Sequence, residues 1–280
     1  MMKSLYDVPA PAKLNLFLHI TGRRADGYHL LQSAMALIDW CDTLHFERRQ
    51  GGGISREDLG LALPVDDLVV RAARALQAAT GTTYGAHIQV DKRIPSQAGM
   101  GGGSSDAAST LLALHRLWKL NLPLAALAQI GLQLGADVPF FLSGGNAWVE
   151  GIGERISPLE IPIGRFLVVK PPDGLDTRLI FSDEGLKRDS ETDILAGFAA
   201  NPTGFGRNDM QLVAQKLCAG VSQALEWLEA QGLNGRMTGS GSAVFAWAPA
   251  DMALNAAPAG FEVRWCSGLR VHPLAGWAKI

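Results

Sequence analysis

The sequence has few cysteines, almost no net charge and no long apolar segment. Its 280 residues contain three cysteines, Cys41, Cys218 and Cys266, an odd number at wide spacings. This argues against a disulfide framework and indicates a reducing compartment. No Cys or His spacing typical of a metal site occurs. No run approaches the ~18 apolar residues of a membrane-spanning helix, and the N-terminus has no apolar signal core. We therefore expect a cytoplasmic protein with no membrane partner.

The charge balance excludes a general affinity for nucleic acid. The formal net charge is −2, and the basic pairs Arg23-Arg24, Arg48-Arg49 and Lys187-Arg188 are short and scattered, so we expect them on solvated faces. The sequence has no internal repeat and no low-complexity linker. Its length predicts one large or two medium domains, and we expect a monomer or a weak homodimer.

The most informative segment that is present is glycine-rich and runs from Pro95 to Ala108. It reads Pro-Ser-Gln-Ala-Gly-Met-Gly-Gly-Gly-Ser-Ser-Asp-Ala-Ala and precedes an apolar series at helical spacing, Leu111, Leu114 (or His115) and Trp118. Glycines let backbone approach a ligand, and serine or aspartate begins helices. Unpaired amides at a helix start suit a phosphate, which we prefer to a merely flexible turn. The candidate phosphate-binding residues are Pro95, Ser96, Gln97, Ala98, Gly99, Met100, Gly101, Gly102, Gly103, Ser104 and Ser105.

The two common phosphate-binding motifs do not fit this segment. A Walker A loop requires lysine directly after its last glycine, but Ser104 follows Gly103 and the next lysine is Lys119. A dinucleotide-binding fingerprint has a third glycine where Ser104 stands and an acidic residue about twenty positions later. Residues 125–128 are Ala-Ala-Leu-Ala instead.

Two charged residues elsewhere are candidates for chemistry. Residues 12–20 alternate as a strand with one buried face, which puts Lys13 and Asn15 together on the less apolar face. Alone, this pattern is typical of solvated side chains. Asp137 follows a predicted helix that begins at Pro123 and ends at Gly135. Its apolar neighbours indicate a partly desolvated carboxylate, which needs a cation nearby.

Further elements follow from local signals. Asp66-Asp67 predicts the cap of a helix that runs to about Ala79, and strands are predicted at 43–47, 86–92, 144–150, 165–170 and 261–266. The glycines at 51–53 predict a hairpin loop, and residues 151–158 a crossing between domains. Lys92 ends its strand beside the glycine-rich segment and is either solvated or close to a nucleotide.

Five blocks, in this order, resemble the GHMP kinases. They are Pro11-Ala-Lys-Leu-Asn-Leu-Phe-Leu18, Arg24-Ala-Asp-Gly-Tyr-His29, Pro95 to Ala108, Gly135-Ala-Asp-Val-Pro139 and Met237-Thr-Gly-Ser-Gly-Ser242. The resemblance implies an α+β, two-domain fold with the active site in the cleft. The domain at 1–156 would resemble ribosomal protein S5 domain 2 and bind ATP, and the domain at 157–280 would be ferredoxin-like.

The resemblance also implies phosphoryl transfer from ATP to an alcohol, with Mg²⁺ bridging the phosphates. Asp137 would accept the hydroxyl proton and Lys13 would pair with it; alternatively Lys13 lowers the pKa of the hydroxyl and Asp137 only orients it. The Mg²⁺ ligands stay open, with Ser105 a candidate by its location.

The resemblance of the five blocks extends to one substrate class within the family, a cytidine diphosphate derivative of methylerythritol phosphorylated at its C2 hydroxyl. By resemblance, Tyr28 and His29 recognise cytidine and Phe181 stacks on it. Asn15 lies beside the acceptor, and Gly239 and Ser240 face phosphates and substrate. At Met35 some relatives carry an aromatic ring, so stacking is open there. The alternatives are a kinase of another small alcohol, such as homoserine or mevalonate, and a non-catalytic nucleotide-binding protein on the same scaffold.

Overall fold

A computed structural model describes residues 2–249 and 252–278, and two long antiparallel strands dominate it. Strand β1 spans Ser4–Arg23 and β2 spans His29–Arg49. They pair from Ser4↔Glu47 to Arg23↔His29. The turn between them is closed by Arg24 N donating to Tyr28 O at 2.7 Å, with Gly27 at a φ of 92°. Residues 10–20 are buried on both faces, so the expectation of one buried face was wrong.

The strands form one mixed sheet. The remaining strands are β3 (Ile54–Asp58), β4 (Gly85–Asp91), β5 (Ala147–Gly151), β6 (Arg155–Pro158), β7 (Arg165–Lys170), β8 (Arg236–Met237), β9 (Val244–Trp247) and β10 (Glu262–Leu269). The order along the sheet is β3-β4-β2-β10-β7-β9-β8, with β1 and β5 also on β2, and β6 on β5. Strand β10 joins the two halves, because Gly268 and Leu269 pair with Ile38 and Leu37.

The helices are short and lie against this sheet. They are α1 (Leu68–Thr80), α2 (Gly102–Leu117), α3 (Leu124–Leu134), α4 (Val138–Ser143), α5 (Thr177–Ser182), α6 (Leu195–Ala200), α7 (Gln211–Leu217) and α8 (Ala219–Ala230). The predicted cap of α1 is confirmed, since Asp67 accepts from Val70 N at 3.0 Å. A mixed sheet covered by helices is the α+β class predicted from the sequence.

Three buried clusters make up the core. One joins α1–α4 to β1, β2 and β4, and also takes in Leu274 and Ala278 from the end of the chain. A second lies along the middle of β1 and β2 and includes Trp40 and Phe166. The third packs α7 and α8 against β7 and β9. The segment after β10 therefore returns to the core formed mainly by the first half.

Three local expectations were wrong. The glycines at 51–53 do not close a hairpin, because β3 pairs in parallel with β4 and β4 separates it from β2. Residues 151–158 turn back into β6, which pairs with β5, and do not cross to another domain. Helix α2 begins earlier than its serines, with Gly101 as N-cap and no side-chain cap.

Candidate active site

A cleft of about 1150 Å³ brings the predicted site residues together. Its walls are the glycine-rich segment, the second half of β1, the start of β2, helix α5 and the turn between β8 and β9. Of the predicted residues, Lys13, Asn15, Tyr28, His29, Lys92, Pro95–Ser104, Asp137, Phe181, Gly239 and Ser240 line it, and Ser105 does not. Met35 borders the cleft but is only 2% exposed.

The glycine-rich segment presents a helix start to the cleft. Gly101 adopts a φ of 70° and α2 begins at Gly102, so its first amides have no partner within the helix. Ser105 N is the first to bond back, to Gly101 O at 2.9 Å. The cleft-lining stretch 101–104 therefore carries amide donors at the positive end of the helix dipole, which suits an anion.

Two glycines let this segment pack directly on the turn between β8 and β9. Gly99 has a φ of 71°, and a Cβ there would lie 2.1 Å from Thr238 O and 2.8 Å from Gly241 N. A Cβ on Gly239 would lie 2.5 Å from Gly99 O. The contact between the two loops, which we call the loop seam, therefore has no room for a side chain at either glycine.

Hydrogen bonds run along the loop seam. Ser242 N donates to Gln97 O at 3.1 Å, and Ala243 N donates to Ala98 O at 3.2 Å. The Thr238 hydroxyl accepts from Asn15 N at 2.9 Å. The seam therefore ties the glycine-rich segment both to the β8–β9 turn and to β1.

Lys13 and Asp137 meet at the cleft from distant parts of the chain. Lys13 Nζ lies 3.6 Å from Asp137 Oδ2, with side chains 4% and 31% exposed. The ammonium also donates to Asn15 Oδ1, and Asn15 Nδ2 donates to Ser33 Oγ at 2.8 Å. Lys13 N donates to Met100 O at 3.0 Å, which fixes β1 beside the glycine-rich segment. A buried cation and a partly exposed carboxylate therefore face the same space.

Lys92 lines the cleft but is already paired. It donates to Asp42 and, at 2.6 Å, to Asp106. Burial alone would lower the pKa of Lys92, but the carboxylates of Asp106 and Asp42 outweigh it and raise that pKa. Burial raises the pKa of Asp106, with Lys92 opposing it. Asp42 also accepts from the backbone amides of Arg93 and Ile94, so the cluster positions the start of the glycine-rich segment.

Two buried oxygens in the first turn of α2 have no hydrogen-bond partner. They are Ser105 Oγ and Asp106 Oδ1. No group of three or more His, Cys, Asp or Glu side chains that could hold a metal ion occurs among residues 2–249 and 252–278.

At the other end of the cleft, His29 and Phe181 stack on each other. Their ring centroids are 4.6 Å apart and the planes differ by 16°. Arg188 Nε donates to His29 Nε2 at 3.2 Å. Burial, and then the charges of Arg188 and Arg23, lower the pKa of His29. Tyr28 is 61% exposed. The two rings predicted to contact cytosine thus lie together in this structure.

Several cleft residues had no signal in the sequence. Besides the predicted ones, the lining includes Arg23, Asp26, Leu63, Pro64, Asp66, Asp67, Arg71, Asp176, Thr177, Arg178 and Met210. Asp66 and Asp67 were interpreted as helix caps, and Asp67 both caps α1 and pairs with Arg56 at 2.8 Å. The others lie in loops, at the end of β1 and in helices α1 and α5, and their approach to the cleft depends on the tertiary fold.

Comparison with known protein families identifies two matching regions in the chain. Residues 67–145 match the family model described as the N-terminal domain of GHMP kinases, and residues 194–262 match that described as GHMP kinases C terminal. No helix in the described part of the chain is long and apolar enough to cross a membrane.

Similar proteins and structures carry related names. A protein of Albidiferax ferrireducens named 4-diphosphocytidyl-2-C-methyl-D-erythritol kinase is 72% identical over 99% of this chain and 96% of its own length. One of the same name from Variovorax paradoxus is 63% identical over 99% of this chain and all of its own. A crystal structure of 4-(cytidine 5'-diphospho)-2C-methyl-D-erythritol kinase is 31% identical with a TM-score of 0.78, covering 95% of this chain and 98% of the other. A homoserine kinase from Cytophaga hutchinsonii, at 15% identity and a TM-score of 0.69 over 97% and 96% of the two chains, shares the fold.

Proposed function

Since the chain belongs to the GHMP kinase family, we propose that it transfers a phosphoryl group from ATP to the C2 hydroxyl of 4-diphosphocytidyl-2-C-methyl-D-erythritol. This is a step in the non-mevalonate route to isoprenoid precursors. The names of relatives at 63–72% identity support the substrate. The observation that carries the proposal is the Lys13–Asp137 pair, 3.6 Å apart beside the glycine-rich segment in one cleft.

In this proposal the glycine-rich segment holds the triphosphate. The amides at 101–104 face the cleft at the start of α2, where the helix dipole favours negative charge. Phosphoryl transfer leaves the protein little covalent chemistry, so its work is positioning and charge stabilisation. The loop seam fixes the position of this segment. Amide donors that are already in place need not rearrange when charge develops in the transition state.

Asp137 accepts the proton of the attacking hydroxyl. Its carboxylate is 31% exposed, which leaves it accessible to an acceptor, and it stands at the start of α4. Lys13 is buried beside Asp137 and Asn15, where its ammonium stabilises negative charge on the attacking oxygen. In the alternative, Lys13 activates the hydroxyl and Asp137 orients it; the pH–rate profile of an Asp137 variant separates the two.

Mg²⁺ would enter with ATP and neutralise charge on the phosphates. Mg²⁺ commonly keeps water and binds through one or two protein oxygens and the substrate phosphates. The donors at the start of α2 fit this pattern, because Ser105 Oγ and Asp106 Oδ1 are buried without partners. We propose Ser105 as a ligand, which requires its hydroxyl to turn toward the cleft.

The cytidine end would lie against His29, Phe181 and Tyr28, with Gly239 and Ser240 beside the phosphates. Ser240 Oγ is 2.7 Å from Thr177 Oγ1, which links that turn to α5. We also propose an N-terminal ATP-binding domain at 1–156 and a C-terminal domain at 157–280. We further propose that the protein is cytoplasmic and is a monomer or a weak homodimer.

An ATP-dependent phosphorylation assay on a panel of alcohols tests the proposal. We expect turnover with the cytidine diphosphate substrate and none with homoserine or mevalonate. Preference for either simple alcohol would reassign the substrate. ATP binding with no acceptor-dependent turnover on any of them would make the chain a non-catalytic nucleotide-binding protein.

A further inference from the structure

Arg188 is the least expected residue near the cleft. It was expected on a solvated face with Lys187, but its guanidinium is partly buried and each of its three nitrogens donates a hydrogen bond. Nη1 donates to Leu186 O at 3.0 Å, and Nη2 donates to Phe181 O and Asp183 O at 2.9 Å each. Nε donates to His29 Nε2 at 3.2 Å. Three carbonyls of the 181–186 segment therefore hold the guanidinium in one orientation toward the histidine.

This contact determines which ring nitrogen of His29 carries the proton. An arginine only donates, so Nε2 must accept, and the proton of the neutral imidazole must sit on Nδ1. Nδ1 has no hydrogen-bond partner among the described residues. His29 lines the cleft and is covered on one face by Phe181. The free edge of its ring thus offers one donor to a ligand.

A donor at this edge distinguishes two pyrimidines. Cytosine N3 is an unprotonated ring nitrogen and accepts a hydrogen bond, whereas uracil N3 carries a proton and would face His29 donor to donor. We propose that Arg188 fixes the Nδ1–H tautomer of His29 and thereby makes the cleft select cytosine over uracil. The proposal rests on the function proposed above, because it assumes that the cytidine end of the substrate lies against His29.

The size of the preference for cytosine follows from the hydrogen bond that uracil cannot make with His29. A buried donor left without an acceptor lowers affinity by about 10- to 100-fold. Without Arg188, the imidazole can move its proton to Nε2, and Nδ1 can then accept from uracil. Arg188 acts through His29, so it is a positioning residue.

The experiment compares Arg188→Met with Lys187→Met. Both remove one positive charge from the same segment, but Lys187 is 45% exposed, pairs with Asp189 and does not contact His29. Binding of cytidine and uridine 5'-diphosphate is measured by calorimetry with the nucleotide site filled by a non-hydrolysable ATP analogue. We expect a cytidine preference of at least tenfold in the wild type and Lys187→Met, and a loss of most of it in Arg188→Met. Equal preference in all three, or none in the wild type, would overturn the proposal.

A second readout does not depend on ligand or activity. Nitrogen NMR of labelled histidine in the free protein, with His29 assigned by a His29→Gln variant, reports which nitrogen is protonated. We expect Nδ1–H in the wild type and a mixture or Nε2–H in Arg188→Met, with both proteins equally folded by thermal melting. A protonated Nε2 in the wild type would refute the tautomer assignment even if the kinase assay succeeds. A failed kinase assay would refute the proposed function and leave this measurement standing.

Discussion

The loop seam makes Gly99→Ala a sharp test of how the glycine-rich segment is held. Alanine at a φ of 71° costs about 1–3 kcal/mol. The added carbon would also lie 2.1 Å from Thr238 O and 2.8 Å from Gly241 N, so the loops must separate. Overpacking of this kind costs about 1–3 kcal/mol. We expect a loss of about 2–6 kcal/mol in the free energy of unfolding, together with weaker ATP binding.

Urea denaturation followed by circular dichroism measures this loss, and Gly103→Ala is the matched control. Gly103 lies in the first turn of α2 and does not have a positive φ, and a Cβ there would meet Leu68 Cδ1 at 3.4 Å. Alanine is the better helix former by up to about 1 kcal/mol, so this variant should be as stable as the wild type or slightly more stable. If Gly99→Ala were as stable as Gly103→Ala, the reasoning would be refuted.

A double variant tests whether the seam is one unit. Gly239→Ala should be destabilising for the same reason, because its Cβ would lie 2.5 Å from Gly99 O at a φ of 54°. Once one substitution has separated the loops, fewer contacts between them remain for the second substitution to disrupt. We expect the double variant to lose clearly less stability than the sum of the two single losses; strict additivity would show that the glycines act independently.

The remaining predictions concern the chemistry and the core. Asp137→Asn should lower kcat by about 10²- to 10⁴-fold with ATP affinity nearly unchanged by calorimetry; near-normal kcat would remove Asp137 as the base. Gly101→Val should abolish ATP binding, because the added carbon lies 3.0 Å from the Phe141 ring at a φ of 70°, and an unchanged titration would contradict the loop assignment. Burial lowers the pKa of His272 from 6.5 to about 4, so the unfolded chain binds the proton more tightly and stability should fall by about 3 kcal/mol as pH drops from 6.5 to 4. Urea denaturation of His272→Asn should show a correspondingly smaller loss, and an identical pH profile would assign the loss to other groups.

The sequence predicted which residues line the cleft better than it predicted their surroundings. The pairing of Lys13 with Asp137 came from the family resemblance, and the structure brings the two side chains within 3.6 Å. Alternation along β1 was interpreted as one buried face, because a local pattern cannot reveal that distant parts of the chain also cover the other face of residues 10–20. The roles assigned to individual residues stay predictions.

Side-chain contacts between residues far apart in the sequence could not be predicted from local patterns. Asp42 is 50 residues from Lys92 in the sequence. Its carboxylate also accepts hydrogen bonds from the backbone amides of Arg93 and Ile94, and no local sequence pattern indicates these contacts. Arg188 looked like a solvated charge because its bond to His29 spans 159 positions. The hairpin of β5 and β6 was missed for a different reason, since residues 151–158 contain glycines that also suit a linker.

The pairing of β10 with β2 restricts how the cleft can open. Gly268 and Leu269 bond to the middle of β2, Gly145 bridges to Val271, and Leu274 and Ala278 are buried in the first-half core. A hinge rotation that parted the two halves would have to rupture a continuous sheet and extract these side chains. We therefore expect any widening of the cleft to come from displacement of peripheral segments such as α5 and the turn at 24–28, and agents that immobilise those segments to slow turnover without touching the reacting groups.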